Sequence, residues 1–167
     1  MNQKEFIQQF QNEHRQIRTT LWELLVSLVQ RDITLGRCYL KKLDKLTGPH
    51  FRYEEETLFP ALMEIYDSMY VNKLFTDHDL VIMHIKKLCS TLNQPDLTEE
   101  DYTIAIKQVK SVLPIVSSCE SISAMIEKFN DRLIEKLNDT HNKAYHDNFS
   151  LFKWSETVRK RLPLYLN

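Results

Sequence analysis

The segment His50-Phe-Arg-Tyr-Glu54-Glu55-Glu56-Thr-Leu58-Phe-Pro60 sets an imidazole and a carboxylate four residues apart. A helix brings residues at that spacing onto one face, so His50 and Glu54 point the same way. Leu43, Leu58, Ala61 and Ile65 continue the stripe, which directs it inward. A carboxylate and an imidazole turned toward a core are costly unless they are paired or bound to a metal. Three further histidines fall on apolar stripes. His14 lies between Phe10 and Ile17, and His78 lies among Val71, Leu74, Val81, Ile85 and Leu88. His141 follows Ile122, Met125, Ile126, Phe129, Leu133 and Leu137 and precedes Tyr145 and Phe152.

One histidine on an apolar face is ordinarily a satisfied core residue. Four of them on four separate helices, each near a carboxylate, are poorly explained that way. Imidazole with carboxylate suits iron, manganese or zinc, and no paired thiolates point to a structural zinc knot. Two metals about 3.5–4 Å apart need a bridging oxygen, for which Glu54 is placed. Glu55 points about 100° away and reads as an outer or surface group. His84, six residues past His78, faces elsewhere. Arg15, Arg52 and Lys143 are expected in solvent, and Trp22 and Trp154 are expected to pack.

The elements that must position these side chains are all helical. Only two glycines, Gly36 and Gly48, occur in 167 residues, and the five prolines are dispersed. A first helix is predicted over 3–30, and a second opens at the cap Asp32 and runs to about Asp67. Thr47-Gly48-Pro49 is expected to kink or briefly break it. A third covers 71–93. After the loop Asn93-Gln-Pro-Asp96, Thr98 and an acidic turn open another helix that ends near 114–118. A last long helix is predicted from 118 to about Arg161. Each half resembles a helical hairpin, one opened by Glu13-His14 and the other by Asp77-His78. The expected fold is all-α, an up-and-down four-helix bundle in a single domain over 1–167. One extra helix is expected between the third and last core helices.

Composition limits the partners. A formal net charge of −1 and the lack of a basic block give no sign of nucleic acid. The Arg159-Lys-Arg161 cluster reads as a solvated helix end. No apolar run is expected to span a bilayer, and the N-terminus lacks the pattern of a signal peptide. Cys38, Cys89 and Cys119 form no CxxC pattern, which fits reduced thiols and a cytoplasmic setting.

Glu13-His14, His50-x-x-x-Glu54-Glu55-x-x-Leu58-Phe59-Pro60 and Asp77-His78 resemble the first three ligand segments of the hemerythrin-like (HHE cation-binding) domain family. That resemblance implies His14, His50, Glu54 and His78 as iron ligands, two irons per chain, and a small ligand such as O2 or NO. The fourth segment departs from the family pattern. Where a carboxylate is expected four or five residues after His141, the chain has Tyr145 and His146, with Asp147 at six. Three arrangements stay open: His141 with His146, a π-bulge bringing His141 and Asp147 together, or loss of the second bridge and a mononuclear site. Tyr145 reads as a packing residue or as a donor to a bound ligand.

Two other functions compete with an O2- or NO-binding iron protein. A metal-independent helical regulatory or interaction module would keep the scaffold after losing the site. A di-iron oxidase would need more carboxylates, in Glu-x-x-His pairs, and the chain has none. The reading leans away from an enzyme.

Overall fold

Polar side chains decide where the helices start. In the computed structural model, which describes residues 1–160, Asn2 caps α1 (Gln3–Val29) in a reciprocal box with Glu5. Asp32 caps α2 (Ile33–Tyr53) and Asp67 caps α4 (Ser68–Leu92). Between them, the π-helical turn Glu54–Leu58 leads into α3 (Phe59–Met63). Thr98 and Asp101 form a second box at the start of α5 (Glu99–Cys119). A 3-10 turn, Glu120–Ile122, then leads to α6 (Ser123–Ile126). Asn130 caps α7 (Asp131–Asp147) and Ser150 caps α8 (Leu151–Thr157). These side-chain oxygens accept backbone N–H groups that a helix start leaves without partners. No strand occurs among the described residues.

The structure departs from the sequence expectation at three places. The second helix runs unbroken through Pro49. Every residue from Thr47 to Tyr53 is buried there, so packing holds a segment that local preference would loosen. Its stripe also ends early, and Ile65 is exposed. The predicted last helix is a 3-10 turn and three helices, α6, α7 and α8: residues 127–130 separate α6 from α7, where Asn130 caps a new start, and Asn148 adopts a left-handed conformation (φ 48°, ψ 43°) and terminates α7. The expected end at Arg161 lies outside the described residues.

Helix pairing differs as well. α1 packs against α2 and α5, and α4 packs against α5 and α2. The helix expected to be extra, α5, therefore lies between α1 and α4. The expected fourth core member, α7, packs chiefly against α2, as does α8. Contrary to expectation, one stretch, Glu99–Ile126, contains an 18-residue window with a mean hydropathy of 1.3, enough by length and composition alone to cross a membrane. Within it, Tyr102, Ala105, Val109, Val112 and Val116 are buried in the same cluster as Leu21, Leu24 and Leu28 of α1 and Ile85 of α4.

Two apolar clusters result. One gathers Ile17, Leu21, Phe51, Val81 and Val116 among others; the second gathers Phe6, Phe10, Tyr53, Leu74 and Ile122. Along α1 the change from one to the other falls between Phe10 and Ile17, and along α4 between Leu74 and Val81. His14 and His78 occupy those gaps. Gly48 allows the α7–α8 connection to rest on α2: a Cβ there would stand 2.1 Å from the Phe149 carbonyl oxygen and 2.5 Å from the Ser150 carbonyl carbon. Backbone cannot yield as a flexible side chain does. Gly48→Ala is expected to cost about 1–3 kcal/mol, read from the urea midpoint at unchanged slope.

Candidate metal centre

Three histidines are held in the same way by different partners. The His14 Nδ1–H donates to the Phe10 carbonyl one turn earlier at 3.0 Å. The His50 Nδ1–H donates to Glu13 Oε2 at 2.8 Å, and the His78 Nδ1–H to Glu55 Oε1 at 3.0 Å. Each donation leaves Nε2 as the inward nitrogen. All three Nε2 atoms face Glu54. His50 Nε2 is 3.5 Å and His14 Nε2 3.9 Å from Glu54 Oε1, while His78 Nε2 is 3.0 Å from Oε2. Glu54 is completely buried, and the three histidines are nearly so. Phe51 stacks on the His78 ring at 3.8 Å, and Phe10 lies 4.4 Å from the His14 ring.

The π-helical turn lets two successive glutamates serve one histidine. Glu54 faces Nε2 of His78 and Glu55 takes its Nδ1. A regular helix would have turned Glu55 away by about 100°. A π-bulge adds a residue to a turn and is frequent at functional sites. The bulge weighed for the last helix is thus found in the second.

Outer groups complete the arrangement. Glu13 accepts from Gln9 Nε2 (2.8 Å), His50 Nδ1, the Tyr53 hydroxyl (2.9 Å) and His141 Nε2 (2.7 Å). Arg159 clamps Glu55 with two hydrogen bonds, at 2.9 and 2.7 Å, and reaches Asp79 at 2.7 Å. Cys119, at the end of α5, sets its sulfur 3.8 Å from Glu54 Oε1. One donor atom each of His14, Glu54 and Cys119 lie within 4.8 Å of one another.

Charge follows this geometry. Burial alone would raise Glu54, but His50 and His78 hold its carboxyl down at about 2. Burial would lower His78, but the facing carboxylates Glu54 and Glu55 lift it to about 9. His50 is raised against its burial by Glu54 and Glu13. His14, buried and beside His50, falls to about 4 and is neutral at pH 7. Burial drives the Cys119 thiol well up, and Glu54 adds to it.

His50 Nε2, His78 Nε2 and Glu54 Oε2 are buried without a hydrogen-bond partner. His78 Nε2 and Glu54 Oε2 are within ion-pair reach, yet out of line for a hydrogen bond. Buried polar atoms rarely stay unsatisfied. Donors about 2.1 Å from one metal ion stand roughly 3.0–3.5 Å apart in adjacent positions. The distance from each histidine to its facing Glu54 oxygen fits, with His14 slightly wide, and among the described residues the donors that lie within 4.8 Å of one another are those of His14, Glu54 and Cys119. Beside these donors lies a cavity of about 10 Å³, walled by Ile17, Phe51, Val81, Ile115 and Val116 together with His14, His50, Glu54 and Cys119. Its volume matches about one water-sized sphere.

The structure brings His14, His50, Glu54 and His78 together and places the other candidates elsewhere. His141 is buried, but its Nε2 is taken by Glu13, and its ring stacks on Tyr145 at 4.5 Å. His146 is on the solvent side, 90% exposed, with Asp147 at 3.6 Å. Asp147 accepts from Arg52 Nη1 at 2.8 Å. Neither His146 nor Asp147 reaches Glu54, because both lie on the last turn of α7, past the buried part of its stripe. Arg52 is buried between Asp147 and Glu56, and the Arg159 side chain is 3% exposed; both were expected in solvent. Trp154 packs as expected, whereas Trp22 is half exposed, and His84 bonds Gln108. Glu13 and Cys119 were missed as members of the cluster. Glu13 precedes His14 on the same buried stretch, which was a usable signal; a lone cysteine carried none.

No family model, curated protein or solved structure matches this chain.

The raised His78 sets a pH dependence for the metal-free protein. A group with folded pKa near 9 and an ordinary value of 6.5 stabilises the fold fully below pH 6.5, and that contribution is lost as pH rises through 9. His50 acts in the same direction. Unfolding free energy is therefore expected to fall by on the order of 2 kcal/mol between pH 6.5 and 9.5. Urea titrations across that range would measure it. A ring NMR titration placing His78 near 6.5 would contradict the pairing.

Proposed function

We propose that this chain is a non-haem metal-binding protein on a hemerythrin-like scaffold. In it, α1, α2, α4 and α5 form an up-and-down four-helix bundle, and His14, His50, Glu54 and His78 hold one divalent ion, iron by preference. The observation that carries this reading is the convergence of three imidazole Nε2 atoms, each fixed through its Nδ1, on one fully buried carboxylate. Metal-binding histidines are commonly oriented by such outer hydrogen bonds. A binuclear centre finds less support, since His141 serves Glu13 and neither His146 nor Asp147 approaches.

Held by His14, His50, Glu54 and His78, a ferrous ion would supply the affinity for O2 or NO. The chain contributes the rest. Ile17, Val81, Ile115 and Val116 line a small, apolar cavity that admits a diatomic molecule and little else. Glu13 and Glu55 keep His50 and His78 in the tautomer that presents Nε2. Ion binding requires His50 and His78 to give up their ring protons, so affinity rises with pH. Apart from the Cys119 thiol, the titratable groups that line the cavity, His14, His50 and Glu54, are the ones this reading assigns to the ion, which suits reversible binding or sensing better than turnover.

A second reading has its own support. Protonated His50 and His78 neutralise Glu54 and Glu55 without any metal, so the cluster also suits a metal-independent helical interaction module.

Metal analysis of anaerobically purified protein, with optical spectra before and after air, separates the two. One iron per chain, lost in His50→Ala and in Glu54→Gln, with a spectrum that responds to air or NO, is expected. Two irons per chain would restore the binuclear centre. No metal after reconstitution with ferrous or zinc ions would leave the interaction module as the function.

A further inference from the structure

Resting on the metal reading above, we propose that Cys119 is a fifth ligand, bound as thiolate, and that it makes the centre selective for thiophilic divalent ions such as Fe2+, Co2+ and Zn2+ over Mn2+ and Mg2+. Its sulfur belongs to the same small group of donor atoms as His14 Nε2 and the Glu54 carboxylate, all within 4.8 Å of one another. An ion about 2.3 Å from sulfur and about 2.1 Å from oxygen or nitrogen holds such atoms no more than about 4.4 Å apart. The 3.8 Å from Sγ to Glu54 Oε1 lies inside that limit. Glu54, the carboxylate of that group, keeps its buried Oε2 without a hydrogen-bond partner, and the unpartnered His50 Nε2 lies 3.5 Å from Oε1, the oxygen the thiol faces, so the thiol is not a lone cysteine near an otherwise satisfied core.

Position in the chain supports the assignment. Cys119 is the last residue of α5, where the helix tightens into the 3-10 turn Glu120–Ile122. Because α5 packs between α1 and α4, this helix delivers its sulfur where the expected fourth histidine does not arrive. Glu54 alone brings one negative charge into contact with a divalent ion; a Cys119 thiolate brings the second. The step is an exchange without redox change. The S–H bond breaks, the sulfur lone pair binds the ion, and the proton passes to buffer. Soft thiolate raises affinity for later divalent ions more than for hard ones, which is the origin of the selectivity.

Cobalt(II) reports on both levels. Full-length protein depleted of metal and titrated anaerobically with Co2+ is expected to take up one ion. It should show visible ligand-field bands and an intense near-ultraviolet sulfur-to-cobalt charge-transfer band. Cys119→Ser should keep the ligand-field bands and lose the charge-transfer band, whereas Cys38→Ser and Cys89→Ser should keep both. Competition should show Zn2+ affinity falling at least about tenfold in Cys119→Ser, with Mn2+ affinity nearly unchanged. Co2+ uptake by the unaltered protein without a charge-transfer band overturns the thiolate assignment and leaves the histidine–glutamate centre standing. No Co2+ uptake by the unaltered protein overturns both.

Discussion

The arrangement depends on one carboxylate with no access to water. Glu54 is completely buried, and an isolated charge there would cost many kcal/mol. Its compensation is built outward in layers. Three imidazoles and a thiol face it, and two of those imidazoles need anchors that are themselves charged. Glu13 anchors His50 and is satisfied by neutral donors, Tyr53 and Gln9, together with His141. Glu55 anchors His78 and is answered by Arg159, which also takes Asp79. Each group is affordable only because the next one out is present. Breaking such a network from one side leaves an uncompensated buried charge, which is far more damaging than losing an exposed pair.

The π-helical turn belongs to the same constraint. Glu54 and Glu55 are neighbours in sequence, yet they bracket opposite nitrogens of one His78 ring. A regular α-helix offers a single inward position in that interval. Widening the turn gives up ideal backbone hydrogen bonding for two inward carboxylates. The third glutamate, Glu56, points outward to Arg52, which also holds Asp147 and so ties α7 back to α2. A run of three like charges thereby divides among the buried position that the three imidazoles face, the anchor of His78 and a helix-to-helix tie.

Much of this was legible in the sequence because periodicity reports which face of a helix is buried. The starts of α2 and α5 were visible in Asp32 and Thr98, and the helix predicted over 3–30 matches α1, whose Asn2 cap was not read. His14, His50, Glu54 and His78 followed from their stripes. Periodicity does not say what a face is buried against. His141 was correctly read as buried, yet it turns to Glu13 rather than Glu54, and nothing local distinguishes the two. The long stripe from Ile122 to Phe152 also hid two breaks, one at 127–130 between α6 and α7 and one at the left-handed Asn148, which ends α7 before α8. Arg52 and Arg159 were read as solvated because the partners that bury them lie far away in sequence: Arg52 and Asp147 are separated by 95 positions, and Arg159 and Glu55 by 104, while the near partner Glu56 alone would leave Arg52 on a surface.

The exchange of roles between α5 and α7 explains the chemistry of the centre best. A layered core puts its polar slab where both apolar clusters end, and only a helix that crosses both clusters can present a side chain there. α5 does so, from Val109 and Val116 on one side to the Ile122 that follows it on the other. α7 lies against the second cluster through Ile134, Leu137 and Ala144, and reaches the slab only from outside, through His141 to Glu13. A helix in that position supports an anchor rather than supplying a donor. At the level of the slab α5 carries Cys119, whose sulfur lies 3.8 Å from Glu54 Oε1.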